Sequence, residues 1–223
     1  MSTPQSKRPR PPPIELSIPL LSTDRFIQSS PIEDVLSPGC YVEPYVLSDR
    51  QRAVVDKIQQ LRKQIQRENP RDKDDKARVL EDTDLFLSSA IVAECYYCTN
   101  QDIVLVSCLT QREGRSQESR PDSIFAYDVK DCERIKILRK LDNITSWIDK
   151  QIQSGKTVIL HCYAGINRSA SIALAYHCLK TGHDIVTGFK YLAEQRPGIL
   201  SNMKFIEQLV IWADSNGLMP TDM

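Results

Sequence analysis

The stretch Val158-Ile-Leu-His-Cys-Tyr-Ala-Gly-Ile-Asn-Arg-Ser169 puts a cysteine, an arginine and a serine within eight positions, between an apolar run and a helix-forming run. A Cys six residues ahead of an Arg means little alone, because seven cysteines and 16 arginines in 223 positions give about half an accidental match. The frame decides: an apolar strand, His161 before the cysteine, Gly165 within the loop and Ser169 opening a helix. A loop curling onto a helix N-terminus turns successive backbone N–H groups inward, a nest whose dipoles favour an anion. Arg168 adds a planar guanidinium that matches two phosphoryl oxygens. The same field favours the thiolate of Cys162, the form that attacks. The chemistry these residues suit is cleavage of a phosphate monoester. The departing alkoxide or phenoxide needs a proton, so a general acid is required from a separate loop.

His-Cys-x5-Arg-Ser, in its strand and helix context, resembles the signature of the cysteine-dependent protein tyrosine phosphatases, and of their small dual-specificity branch in particular. The likeness runs over roughly residues 84–215. It implies that Cys162 forms a cysteinyl-phosphate, that Arg168 binds the phosphoryl group with the loop residues Tyr163, Ala164, Gly165, Ile166 and Asn167, and that Ser169 hydrogen-bonds the departing thiolate. His161 and Asn202 would brace the loop from behind, although an Asn ahead of Met203 is equally a helix N-cap. In that family the general acid is an Asp about thirty residues before the Cys. Asp131, 31 positions before Cys162, is preferred, with Asp128 as the fallback; either also suits a plain helix cap. The resemblance implies a protein phosphatase acting on phosphotyrosine and phosphoserine/phosphothreonine, with no metal and no other cofactor.

Substrate class is argued from the loop. Its five intervening residues hold no lysine, so a phosphoinositide headgroup would meet one fixed cation. The chain also lacks the length that tyrosine-specific relatives use for a deep pocket, which favours a shallow cleft. Arg112, Arg115 and Arg120 offer a way to read acidic or doubly phosphorylated substrates, though exposed loop arginines are more often only solvated. RNA 5′-triphosphatases of the same superfamily share the Ile166-Asn167-Arg168 ending but usually carry Thr-His where this chain has Tyr163-Ala164, which counts against RNA. Intact Cys162, Arg168 and Ser169 count against a non-catalytic phospho-binding scaffold.

The elements that must position these residues read as α/β. Ser48 with Gln51 forms a capping box, and Val54, Ile58, Leu61 and Ile65 give a helix from about Ser48 to Arg67. Its apolar stripe packs on its own domain or serves a homodimer through the 48–67 helix. Residues 68–84 read as a charged linker. Strands are expected at 85–87, 103–106 and 158–160. Helices are expected near 90–97, from Ile137 through Ile152 to a stop at Gly155, at 169–180 with a stop at Gly182, and at about 184–195 and 203–215. The segment 110–123 is a loop long enough to be functional. Buried thiols are the better reading of Cys95-Tyr-Tyr-Cys98, which lacks a second pair at zinc spacing. His177 and His183 read as packing or surface residues. The expected architecture is a protein-tyrosine-phosphatase-like three-layer α/β fold, a central mixed sheet flanked by helices, with an N-terminal helical extension.

Composition bounds the rest. The 223 residues carry 29 Lys+Arg against 29 Asp+Glu, so no bulk charge draws the chain to nucleic acid or membrane. The balance is a cancellation: residues 1–44 hold four cations and five anions, 45–80 ten and six, and 81–223 fifteen and eighteen. Nine of the 13 prolines fall at or before Pro44, so 1–44 is expected to be a proline-rich, disordered tail. There Lys7, Arg8 and Arg10 read as a targeting signal or, with more weight, a solvated tail. Helical extension and linker then occupy 45–80, the catalytic domain 81–217 and a short tail 218–223. Seven cysteines without a signal-peptide pattern point to an intracellular, cytoplasmic setting, with the nucleus open. A phosphorylated protein is the expected partner, with nucleic acid disfavoured and no membrane.

Overall fold

The computed structural model describes residues 46–71, 75–109 and 141–222, and the backbone of 124–125. All of them belong to the unit Glu43–Met223, and residues 1–42 lie outside them. The long loop at 110–123, its three arginines and the start of the helix expected from Ile137 also lie outside them.

Helix α1 (Asp49–Glu68) begins as its capping box dictates: Ser48 Oγ accepts from the N–H of Gln51 at 3.2 Å, and the Gln51 side chain accepts from the N–H of Ser48 at 3.0 Å. Val54, Val55, Ile58 and Ile65 are buried, and Leu61 packs against the same core. They meet helices α5 (Ile185–Gln195) and α6 (Met203–Ser215), so the stripe packs within its own chain. Polar ties reinforce the packing, Gln51 Nε2 donating to Asp214 at 2.9 Å and Arg50 to the carbonyl of Pro220 at 3.0 Å.

The sheet runs in the order β1 (Ala77–Arg78), β2 (Leu85–Ser89), β5 (Thr157–Cys162), β3 (Ile103–Ser107), β4 (Ile124–Phe125). It is mixed: β1 pairs antiparallel with β2, and the other neighbours are parallel. The two outer strands went unread in the sequence, β1 lying inside the expected linker, because two residues carry no period and edge pairing is decided by the neighbour. The central strands are buried on both faces, as a parallel sheet under two helical layers requires. One face carries Leu85, Leu87, Val104, Val106, Val158 and Leu160 into the main core, shared with α3 (Leu141–Gln153), α4 (Arg168–Thr181), α5 and α6. The other carries Phe86, Ile103, Leu105 and Ile159 against Ala93, Tyr96 and Tyr97 of α2 (Ala90–Thr99). The result is the expected three layers.

Helix α2 corrects one expectation. Ala93 is its only buried residue, and Cys95 and Cys98 are exposed. A single layer of contact suffices for a helix lying across the outer face, and the apolar composition of 90–98 hid which side that was.

Candidate active site

Strand β5 ends at Cys162, and helix α4 begins at Arg168. Parallel pairing on both sides, with Ser89 opposite Cys162 and Ser107 opposite His161, fixes the strand end from which the loop springs. His161 is fully buried, and its carbonyl accepts from the N–H of Cys108 at 2.7 Å. Helix α4 is buried from Arg168 to Cys178, which anchors the loop's far end, and Gly182 closes it in the left-handed conformation, φ 72°.

Between these anchors the loop's carbonyls are engaged from outside, one after another. Tyr163 O accepts from the N–H of Ala90 at 3.2 Å, at the start of α2. Ala164 O accepts from Arg196 Nη2 at 3.2 Å, and Gly165 O from Arg196 Nε at 3.0 Å. Ile166 O accepts from the N–H of Leu200 at 2.8 Å. Every described peptide is trans, and in a trans peptide the N–H points opposite to the preceding C=O. The N–H groups of Ala164, Gly165, Ile166 and Asn167 are therefore turned away from those donors. Successive amides turned to one side in this way make a concavity suited to an anion.

Three candidate side chains sit at its base. Cys162 is 3% exposed, Arg168 4%, and Ser169 fully buried. Ser169 Oγ donates to Cys162 Sγ at 3.2 Å. Cys108 follows Ser107 in register, so it lies beside Cys162 on the same sheet face. Burial pushes the Cys108 thiol well up, the charge of Cys162 adds to that, and the Arg168 guanidinium opposes it. Cys108 is thus a protonated packing thiol beside the nucleophile candidate. Tyr163, by contrast, is 70% exposed and stands at the rim.

Asn167 ties the loop to the α5–α6 connection: its Oδ1 accepts from the N–H of Asn202 at 3.1 Å and from Ser201 Oγ at 3.5 Å, while its carbonyl accepts from Ser171. The Asn202 side chain caps α6 by accepting from the N–H of Lys204 at 3.0 Å, and the tie to Asn167 is made by its backbone N–H. Asp131 and Asp128 lie outside the described residues.

The residues that sequence reasoning missed are the outer donors Ala90, Arg196 and Leu200. None carries a local signal except Arg196, whose place in Arg196-Pro-Gly ends α5. The sequence marks Gly165 as a loop residue, but its necessity is spatial: at φ 64°, a Cβ there would sit 2.7 Å from Arg196 Nη2 and 2.5 Å from the carbonyl carbon of Ser88.

Comparison with known proteins gives the same outline. The model of the dual specificity phosphatase catalytic domain matches residues 85–215. Human dual specificity protein phosphatase 8 is 39% identical over 88 residues, 40% of this chain and 14% of that protein. Human dual specificity protein phosphatase 16 is 39% identical over 79 residues, 35% of this chain and 12% of that protein. The putative tyrosine phosphatase 123R of Invertebrate iridescent virus 6 is 32% identical over 82 residues, 37% of this chain and 58% of that protein. The matched segments span less than two thirds of these relatives. Among solved structures, the human tyrosine phosphatase-like serine/threonine/tyrosine-interacting protein aligns at TM-score 0.55 and 24% identity, over 65% of this chain and 99% of that one. DUSP15 aligns at 0.55 and 21%, over 66% and 93%. At these identities the structural likeness speaks for the fold.

Proposed function

The chain belongs to the dual specificity phosphatase catalytic-domain family, and from that membership we propose that it hydrolyses phosphotyrosine and phosphoserine/phosphothreonine in proteins through a cysteinyl-phosphate. The observation that carries the reading is the Ser169 Oγ to Cys162 Sγ hydrogen bond of 3.2 Å, at a loop whose carbonyls from Tyr163 to Ile166 are all taken by donors outside it.

In the first step the Cys162 thiolate attacks phosphorus and the P–O ester bond breaks. The leaving oxygen takes a proton from Asp131, with Asp128 the alternative. Charge on the equatorial oxygens is met by the loop amides and the Arg168 fork, donors already in place before it develops. In the second step water attacks, giving its proton to the same aspartate, and the P–S bond breaks. The departing thiolate receives the Ser169 hydrogen bond, which favours the sulfur anion. Tyr163 at the rim supports an open cleft in which side chains shorter than phosphotyrosine reach the nucleophile. Among the described residues no helix is long and apolar enough to cross a membrane.

The test is turnover of an aryl phosphate by the full chain and by Cys162→Ser. The variant should retain no more than a trace; substantial residual turnover refutes the covalent route. A panel of phosphotyrosine peptides, phosphothreonine peptides and triphosphate-ended RNA decides the substrate. Preference for the RNA would overturn the proposal. Asp131→Ala should slow poor leaving groups most, whereas an unchanged rate with Asp128→Ala crippled moves the acid to Asp128.

A further inference from the structure

We infer that Arg196 is a positioning residue for the phosphoryl group: it holds two of the four loop peptides with their N–H groups inward, and it couples that loop to the segment ahead of β1. The inference rests on the loop being the phosphate site proposed above.

Arg196 is the C-cap of α5 and only 3% exposed. A buried guanidinium must be surrounded by acceptors, since an uncompensated charge in the interior is costly. Its acceptors include three backbone carbonyls: Gly165 O on Nε, Ala164 O on Nη2 and Asp75 O on Nη1. The planar fork suits this, presenting rigid donors in different directions, as a lysine ammonium on its flexible stem does not.

The consequence for the loop follows from peptide planarity. Holding the oxygens of Ala164 and Gly165 outward holds the N–H groups of Gly165 and Ile166 inward. The other two loop carbonyls are held by backbone N–H groups of Ala90 and Leu200, which no side-chain substitution removes. Thus half of the nest depends on one side chain. The need is greatest at that point because Gly165, without a Cβ, has the widest choice of backbone conformation in the loop. The Arg196 charge also draws on the negative ends of the two peptide dipoles, leaving their positive ends facing an incoming dianion.

The third carbonyl widens the role. Asp75 lies outside the residues matched by the family model, and its carboxylate accepts from Tyr96 on α2 at 3.0 Å. Its carbonyl accepts from the remaining arm of the Arg196 fork. Through this one guanidinium, α5, α2 and the start of β1 bear on the loop together.

The experiment measures how inorganic phosphate protects Cys162 from iodoacetate in the full chain, followed by intact mass and peptide mapping, so that it needs no turnover. Arg196→Ala and Arg196→Lys are compared with wild type for the half-protecting phosphate concentration, for kcat and KM on an aryl phosphate, and for melting temperature. Loss of two charge-assisted bonds that orient the amides should raise the half-protecting concentration and KM about tenfold or more in Arg196→Ala. Lysine should restore only part of this, because one ammonium cannot span the carbonyls. Should the alanine variant fail to fold, the lysine variant, which keeps the charge and most of the volume, carries the test through the same ratio. Equal phosphate protection in wild type and a folded Arg196 variant overturns the inference while leaving the phosphatase reading intact. A wild-type protein that phosphate does not protect overturns both.

Discussion

Replacing Gly165 by alanine isolates the geometry of the loop in one methyl group. The added Cβ would lie 2.5 Å from the carbonyl carbon of Ser88, closer still to its oxygen, and 2.7 Å from Arg196 Nη2. Ordinary contact begins near 3.4 Å, so clearing the Ser88 carbonyl requires the loop to retreat from β2 by about 1 Å, against a backbone held by two flanking strands. A shift of that size carries the Gly165 and Ile166 amides off the phosphoryl oxygens, and misplacement by about 1 Å costs on the order of 100-fold in rate. The stability cost has two parts. Alanine at φ 64° loses about 1 kcal/mol relative to glycine. Forcing a methyl into filled space adds roughly 1–3 kcal/mol. The sum of roughly 2–4 kcal/mol lowers the melting temperature by roughly 4–16 °C for a chain of this size. Gly155→Ala is the matched control: φ is 82°, and nothing lies within 4 Å of its Cβ. It should keep full kcat/KM and lose only the conformational part, roughly 2–4 °C. Initial rates on p-nitrophenyl phosphate and a thermal melt of each variant suffice. A Gly165→Ala protein with more than half of wild-type kcat/KM would show that the loop does not hold the amides as argued.

Two further outcomes follow from single contacts. Ser169→Ala removes the hydroxyl that donates to Cys162 Sγ, so the thiolate becomes a poorer leaving group in the second step; kcat should fall about tenfold, with a burst of aryl product in rapid mixing that approaches one equivalent of enzyme. Unchanged kcat without a burst would remove Ser169 from that step. His177 is buried between the carbonyl of Val79, at 2.8 Å from Nδ1, and His183, at 3.2 Å from Nε2. Burial lowers its proton affinity, the Val79 bond and Glu81 oppose this, and His183 adds to it. The folded state therefore binds this proton less readily than the unfolded chain, whose imidazole titrates near ~6.5. The full contribution to stability stands above that value and declines as pH falls through it toward the lower folded value. Urea midpoints between pH 7.5 and 5.5 should fall in the wild type and less in His177→Gln. Equal slopes would assign the dependence to other groups.

The local string from Val158 to Ser169 carried the proposed chemistry legibly, because thiol, loop and guanidinium fall within one strand–loop–helix turn and their geometry is set by neighbours in the chain. The same holds for α1, where a capping box and a stripe at spacings of four, three and four describe a helix that the structure reproduces, and for Gly182, whose lack of a Cβ allows the stop that ends α4. Local spacing specifies local conformation. The general acid stands as a reading of spacing, since Asp131 and Asp128 fall outside the described residues.

What the loop leans on was decided only in three dimensions. Arg196 lies 31 positions from Gly165, Leu200 comes from a later connection, and Ala90 from a helix on the far face of the sheet. A backbone carbonyl offers no residue type by which its distant donor can be read. The exposure of Cys95 and Cys98, the edge strand Ala77–Arg78 and the destination of the α1 stripe belong to the same class. Periodicity says that a face is apolar, and only the packed chain says what covers it. By itself the sequence determined which side chains are suited to react with phosphorus; the tertiary structure decided which way the amides around them point, because a peptide's orientation is set by whatever holds its other end.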